Sequence, residues 1–474
     1  MKKQAFNPYL PSWEYIPDGE PYVFDGRVYV YGSHDLFNGH VFCLGDYVCW
    51  SAPVDDLGNW RYEGVIYEKT QDPLNADASM CLYAPDVVVG PDGRYYLYYV
   101  LDHVDVVSVA VCDTPAGKYE FYGYVHYEDG TRLGEKPGDE PQFDPGVLLD
   151  DDGKIYMYTG FCGRGDKSRT GAMCTVLQPD MLTVLEHHKA VIPGGAYSGG
   201  TEFEGHAFFE APSIRKIAGQ YYLIYSSQVM HELCYAVSDR PTEGFRYGGV
   251  IVSNCDIGID TYKPAGKPAA FGSNNHGGLV EIEGQWYIFY HRHTNGTWYS
   301  RQGCAEPVEI LEDGRIPQVE ITSCGLNGGP LVGRGEYPAY IACHIMLEGG
   351  EEDENPMWSM LRRLPTAPRV TQDGRDGDEI PAHIMNIQNG CTIGFKYFEM
   401  QNVTKITVTT RAYAGGHFEV KTAWDGEVLA TIPLRNANVW TEFSADVAIP
   451  DGKQALYLTY RGFSSPQLKS ITLA

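Results

Sequence analysis

One pattern recurs five times and constrains the chain more than any other: a turn ending in Gly, then a strand in which aromatic and aliphatic residues alternate. It appears as Asp25-Gly26 before RVYVYGSHD, Asp92-Gly93 before RYYLYYV and Asp152-Gly153 before KIYMYTGF. It returns as Ala218-Gly219 before QYYLIYSS and Glu283-Gly284 before QWYIFYHR. Each reads as a two-residue hairpin turn feeding a strand of period two. The glycines recur at intervals of 60 to 67 residues, the length of one four-stranded blade with its loops. A second element supports the count: VSVAVCDTPAGKYEFYG (107–123) resembles LCYAVSDRPTEGFRYGG (233–249) and, more loosely, VCWSAPVDDLGNWRYEG (48–64). These read as third strands, each followed by a turn and a fourth. The expectation is an all-β chain opening with a five-bladed β-propeller.

The segment before each hairpin turn is expected to be the innermost strand, lining a central channel. Asp18, Asp86, Asp144, Glu210 and His276 lie seven to nine residues before the five turn glycines. Four acids and a histidine therefore stand at nearly equivalent positions on five radial strands and should converge on the axis. Packing alone would place small apolar residues there, because buried unpaired charge is expensive. Converging carboxylates shift one another's pKa values, as general acid and base chemistry requires. Asp18 and Asp144 each also suit a turn, whereas Glu210 has little turn propensity. Asp86 reads as structural. His276 is either a hydrogen-bonded core histidine or a ligand of metal or water near the axis.

The surface chemistry narrows the partners. With 62 acidic against 36 basic side chains, the formal net charge is −26. Such a field repels phosphate backbones and anionic membranes, so nucleic acid and lipid are not expected, whereas a neutral sugar is compatible. No apolar run is long enough to span a bilayer, and no apolar segment follows Met1-Lys2-Lys3. The 12 cysteines lack CxxC pairs or regular spacing. Free thiols in a reducing cytoplasm are the expectation.

With these residues in place, the chain resembles family 43 of the glycoside hydrolases over roughly residues 6 to 320. The matching pieces are Asn7-Pro8, Asp18 before YVFDGRVYVYGSHD, FDPGVLLDDDGKIYMYTG, FFEAPSIRK and SNNHGGLVEIEGQWYIFYHR. The resemblance implies three acidic residues: Asp18 as the base that activates water, Glu210 as the acid that protonates the leaving oxygen, and Asp144 as the carboxylate that orients Glu210 and raises its pKa. It implies inversion at the anomeric carbon, for which two carboxyl groups face opposite sides of the sugar. The base usually stands in an Asp-Pro step, but Asp18 is followed by Gly19, Glu20 and Pro21, which makes Glu20 a rival. Spacing to the first turn favours Asp18.

By the same resemblance His276 is the axial histidine beside calcium or ordered water. Calcium prefers oxygen, so it is admitted there as a structural ion reached mainly through waters. Arg301 matches an arginine that reaches sugar hydroxyls; a plain strand arginine is an equal reading. Asp35 and His34 bind hydroxyls or close a turn, and Trp13 and Phe209 are candidate stacking platforms. The implied activity is release of L-arabinofuranose or D-xylose from hemicellulose-derived oligosaccharides. An endo-arabinanase or exo-galactanase of the same fold is the alternative, and a non-catalytic sugar-binding propeller is the remaining one. A lectin would repeat one residue set in every blade, which Asp, Asp, Asp, Glu and His do not.

The repeat stops near Gly325, which divides the chain into a catalytic propeller (1–325) and a second domain (326–474). There CTIGFKYFEM, VTKITVTTRAY, HFEVKTAW, WTEFSADVAI and QALYLTYRG read as strands of a β-sandwich. It weakly resembles jelly-roll carbohydrate-binding modules of family 6, with Trp424, Trp440 and Tyr460 as candidate platforms; a purely structural sandwich is as good a reading. The acidic run 348–354 and Asp373 to Asp378 read as solvated loops.

Overall fold

The computed structural model describes residues 2–347 and 366–474. The acidic run 348–354 lies outside them. Five antiparallel sheets follow one another along the chain. The first holds β1 (Glu20–Phe24), β2 (Arg27–Tyr31), β3 (Tyr47–Pro53) and β4 (Arg61–Tyr67). The second holds β5 (Asp86–Val89), β6 (Tyr95–Val100), β7 (Val107–Cys112) and β8 (Glu120–Tyr124). The third holds β9 (Gly146–Leu149), β10 (Ile155–Thr159), β11 (Gly171–Leu177) and β12 (Val184–Pro193). The fourth holds β13 (Phe208–Ile217), β14 (Gln220–Ser227), β15 (Glu232–Ser238) and β16 (Arg246–Ser253). The fifth has three strands, β17 (Leu279–Ile282), β18 (Gln285–Arg292) and β19 (Gln302–Val308). The N-terminal segment closes this last sheet: the Tyr9 amide donates to the Gly303 carbonyl (3.2 Å) and the Ala305 amide to the Asn7 side chain (3.0 Å).

Each blade is too thin to bury a core alone, so the cores lie between blades. One apolar cluster joins blades one and two through Tyr31, Tyr47, Leu97 and Tyr99. Four more repeat the arrangement around the ring, the last joining blade five to blade one through Val280, Phe289, Val28 and Val30. Burying one such side chain is worth about 1.5–3 kcal/mol. The tyrosines of the recurring strand explain their own abundance. The hydroxyls of Tyr31, Tyr98, Tyr158 and Tyr222 donate to the carbonyls of Pro115, Met181, Pro241 and Gly314, at 2.7, 2.6, 2.7 and 2.9 Å. Each acceptor belongs to the next blade or its loops, so one side chain fills the interblade core and pins its neighbour.

The innermost strands close a ring. Tyr22 donates to Asp86 (2.6 Å), and the Val147 amide donates to the other Asp86 oxygen (2.7 Å). Gly146 packs against the Pro212 backbone so closely that a Cβ would lie 2.2 Å from its carbonyl oxygen. Arg215 donates to the Leu279 carbonyl (2.8 Å), and Gly278 sits where a Cβ would strike the Glu20 carboxylate. The ring is therefore continuous from blade one to blade five and back.

The five turns are not all alike. Asp25-Gly26, Ala218-Gly219 and Glu283-Gly284 are two-residue turns with positive φ at both positions, the twist that suits a tight hairpin. The turns of blades two and three are instead five-residue loops, 90–94 and 150–154. There the Gly93 amide bonds the Gly90 carbonyl and the Gly153 amide the Asp150 carbonyl. Pro91 and Asp151 take the first central position of an ordinary turn, and only the glycine is left-handed.

Beyond residue 330 two six-stranded sheets enclose one core that includes Phe395, Phe398, Leu456 and Leu458 of one sheet and Ile406, Val408, Leu468 and Ile471 of the other. This is the expected sandwich. It is anchored to the propeller by Lys396, whose buried ammonium lies 3.0 Å from Asp256 and 3.5 Å from the Tyr262 ring centre. Tyr460 is fully buried, and its hydroxyl donates to the Gly415 and Phe463 carbonyls. It is a core residue, and the stacking role expected of it is withdrawn. Trp424 lies edge-on to His344, and Trp440 packs against His383 and under Arg411.

Candidate active site

A pocket of about 370 Å³ opens on the axis, walled by residues of all five blades, among them Asp18, Tyr83, Asp144, Glu210 and Arg301. The innermost strands put the acids there: Asp18 and Asp144 stand two residues before β1 and β9, and Glu210 is the third residue of β13. All three sit at or beside left-handed backbone, with φ of 56° at Asp18, 45° at Asp144 and 63° at Ala211. Non-glycine residues held this way cost about 1–3 kcal/mol each and cluster at functional sites.

Arg301 organises the base side of the pocket. Its Nη1 donates to Asp18 (2.9 Å), while its Nε and Nη2 grip Asp35 at 2.8 and 3.1 Å. Asp18 also faces His291, whose Nδ1 lies 3.3 Å from the Asp18 amide. The Nε2 of His291 lies 2.7 Å from the Asn274 carbonyl, which assigns its proton to that nitrogen. Burial alone would raise the Asp18 pKa, but the Arg301 guanidinium foremost outweighs it and holds the carboxyl far below its usual range. Asp18 is therefore a buried carboxylate anion.

Glu210 behaves oppositely. Burial, reinforced by the negative charge of Asp18, pushes its pKa up to about 8 against the pull of Arg301. Asp144 is likewise raised, by burial first and then by Glu210 and Asp18. Charge repulsion between Asp144 and Glu210 acts on both carboxyls, on top of burial and Asp18. The Ala211 amide, next to Glu210, pulls the Asp144 carboxyl back down. His276 lies between the acids, its Nδ1 4.0 Å from Asp18 and 3.8 Å from Asp144, its Nε2 4.0 Å from Glu20.

The other expected residues divide. Phe209 lines the pocket and continues into an aromatic wall, 5.1 Å from Phe161, which lies 5.2 Å from Phe143. Asp35 does not line it: Arg301 and the Cys43 amide occupy its carboxylate, so its expected contact with sugar is withdrawn. His34 binds Glu14 and the Asp46 carbonyl away from the pocket, and Trp13 is not among its walls. Glu20, the rival base, is one layer down, ion-paired with Arg215 at 2.7 Å. Sequence reasoning missed Phe42, Tyr83, Phe161 and Trp298. These lie on strand-connecting loops, where no periodicity marks them, though Tyr83 does stand three residues before Asp86.

The axis does not fit a directly ligated calcium. That ion takes six to eight oxygens. Facing His276 Nε2 is one buried carboxylate oxygen without a protein partner, Glu20 Oε1. The other Glu20 oxygen holds Arg215, whose guanidinium already brings positive charge to that layer, and Asp86 is occupied by Tyr22 and two backbone amides.

Comparison with known proteins agrees with this geometry. The profile of glycosyl hydrolases family 43 matches residues 22–316. A xylosidase/arabinosidase of Thermoclostridium stercorarium is 67% identical over 473 residues, covering 100% of this chain and 99% of the relative. A family 43 β-xylosidase/α-arabinofuranosidase from a compost metagenome, solved with xylotriose in a calcium-free form, superposes with a TM-score of 0.52 at 28% identity, over 67% of this chain and 98% of that one. An arabinoxylan arabinofuranohydrolase of Bacillus subtilis, solved with cellotetraose, shares the fold over 99% of this chain and 97% of its own, with a TM-score of 0.53 at 21% identity.

Proposed function

The chain belongs to family 43 of the glycosyl hydrolases, and from that membership we propose a role for each buried acid of its pocket. The protein is a pentose-releasing glycoside hydrolase. In our reading it inverts the anomeric carbon. Asp18, ionised against Arg301, takes a proton from a water as that water's oxygen bonds to the anomeric carbon. Glu210, protonated at neutral pH, gives its proton to the leaving glycosidic oxygen as the C–O bond breaks. Asp144 faces the Ala211 amide, next to Glu210, and in our reading orients the acid. The opposite protonation of Asp18 and Glu210 within one pocket is the observation that carries the assignment.

The substrate is an oligosaccharide that carries terminal L-arabinofuranose or D-xylose. A pocket walled by all five blades and floored by the axial residues receives a chain end, and the wall of Phe143, Phe161 and Phe209 offers apolar faces to a sugar ring. Arg301 reaches the same pocket with its guanidinium. Calcium enters this reading only as a structural ion held through waters between His276 and Glu20, and no catalytic step depends on it. The propeller of residues 1–325 carries the chemistry, and the sandwich of 326–474 supports it. The twelve cysteines are all free thiols, eleven of them buried, which supports a cytoplasmic location.

The test is hydrolysis of 4-nitrophenyl α-L-arabinofuranoside and 4-nitrophenyl β-D-xylopyranoside side by side, with Asp18→Ala as control and NMR of the first-formed anomer. Release that is lost in the variant, with the inverted anomer formed first, supports the reading. First formation of the retained anomer refutes Asp18 as base, and action on internal arabinan bonds alone moves the substrate to the endo class.

A further inference from the structure

Away from the pocket, blade four gathers three ligand types at one point. Glu232 and Cys234 are residues one and three of β15, so the strand's period of two turns both to the same face. His206 reaches them from the loop that leads into β13. Its Nδ1 lies 2.6 Å from Glu232 Oε1, and Cys234 Sγ lies 3.5 Å from the same oxygen. All three donor atoms lie within 4.8 Å of one another, a convergence found nowhere else among the described residues. Glu232 and Cys234 are buried, whereas the His206 side chain is 36% exposed and gives the cluster a door to solvent. The loop itself is held: Tyr225 donates to the His206 carbonyl (2.8 Å), and the Tyr247 ring stacks on the imidazole at 5.0 Å.

We propose that His206, Glu232 and Cys234 form a binding site for a zinc-class divalent metal ion, distinct from the catalytic acids. An imidazole nitrogen, a carboxylate oxygen and a thiolate sulfur are the ligand set that borderline-soft metals take, and three protein ligands leave a fourth position open toward His206 and solvent. At zinc distances of about 2.0–2.3 Å, tetrahedral donors stand roughly 3.2–3.7 Å apart. The Glu232–Cys234 spacing already satisfies that, and only the exposed His206 ring has to swing outward.

Charge also balances. Glu232 paired with protonated His206 beside a neutral thiol carries no net charge. A divalent ion that displaces one proton from His206 and one from Cys234 leaves the cluster neutral again. No uncompensated charge is buried, the condition that usually excludes ions from an interior. Ser227, which donates to the same Glu232 oxygen at 2.5 Å, supports the carboxylate from behind. A bound ion would tie the segment leading to Glu210 to the strand leaving Met230, which lines the catalytic pocket.

The experiment uses the full chain, stripped with a chelator and titrated with Co²⁺ alone. One equivalent is expected to produce tetrahedral d–d absorption and a near-ultraviolet thiolate-to-cobalt band, both displaced by Zn²⁺. Cys234→Ser should lose the near-ultraviolet band. His206→Ala, at a half-open surface position where folding is preserved, should weaken binding at least about 10-fold, the lower end of what losing even an outer partner costs. Absence of the thiolate band at saturating Co²⁺, or unchanged affinity in His206→Ala, overturns the proposal.

Discussion

Arg301 grips Asp35 with two nitrogens and donates with a third to Asp18 at 2.9 Å, so a buried aspartate that never meets the pocket sets the position of the cation beside the base. Asp35→Ala leaves that guanidinium free to pivot. A displacement of about 1 Å at a reacting group costs about 100-fold, and kcat on a nitrophenyl pentoside should fall by that order. Unchanged kcat would show that Asp18 and the Phe42 ring, 4.8 Å from the guanidinium, hold Arg301 unaided.

Glu210→Gln retains the shape of the acid without its proton. Turnover of natural xylo- or arabino-oligosaccharides should fall about 10²–10⁴-fold, while nitrophenyl substrates, whose leaving groups need little protonation, lose much less. Equal losses on both substrate types would argue against proton donation by Glu210. Binding of the intact oligosaccharide, followed by calorimetry, should survive.

The protonation of Glu210 also sets the alkaline side of the pH profile. The active form carries the proton, and the group titrates near 8. Activity should therefore fall as pH rises through about 8. No comparable loss is expected on the acid side from Asp18, which stays ionised far below the ordinary carboxylate range. A kcat/KM profile recorded on both sides of neutrality checks this, and a plateau that persists well above pH 9 would contradict it.

Lys396 makes a different kind of claim. Its ammonium is fully buried against Asp256 and Glu320, at 3.0 and 3.3 Å, and its carbonyl accepts the Ser323 amide. Lys396→Met strands the Asp256 charge in the interior and should cost about 3–5 kcal/mol. Denaturant unfolding of the variant reads the loss. Full stability would show that the two parts of the chain do not depend on this junction.

Asp376, on a loop of the second part of the chain, accepts the Phe37 amide at 2.6 Å. Phe37 begins the segment that carries Phe42 and Cys43 into the pocket wall. Asp376→Ala should raise KM severalfold and leave kcat nearly unchanged, because a wall loosens while the acids keep their places. A fall in kcat at constant KM would place the effect on the chemistry instead.

The five blades are legible in the sequence because each depends on local physics. The Gly-ending turns select hairpins, and the period-two strands that follow declare which side chains face an interior. The same regularity located Asp18, Asp144, Glu210 and His276, since equivalent offsets on radial strands must meet at the axis. The unequal turns of blades two and three were hidden by a shared Asp-Gly, and only the preceding Pro91 and Asp151 separate them from true two-residue turns.

Tertiary structure alone decided the rest. Whether Asp35 touches substrate or holds Arg301 depends on two loops separated by 266 residues, and no local pattern encodes that meeting. The stacking role foreseen for Tyr460 failed because an aromatic residue reads the same in a strand whether it faces core or solvent. The aromatic pocket wall lies largely on irregular loops, whose paths follow from packing between blades. The local sequence determined which strands form and which acids share an axis. The depth of burial around those acids, and hence which is charged and which protonated, depends on everything packed around them.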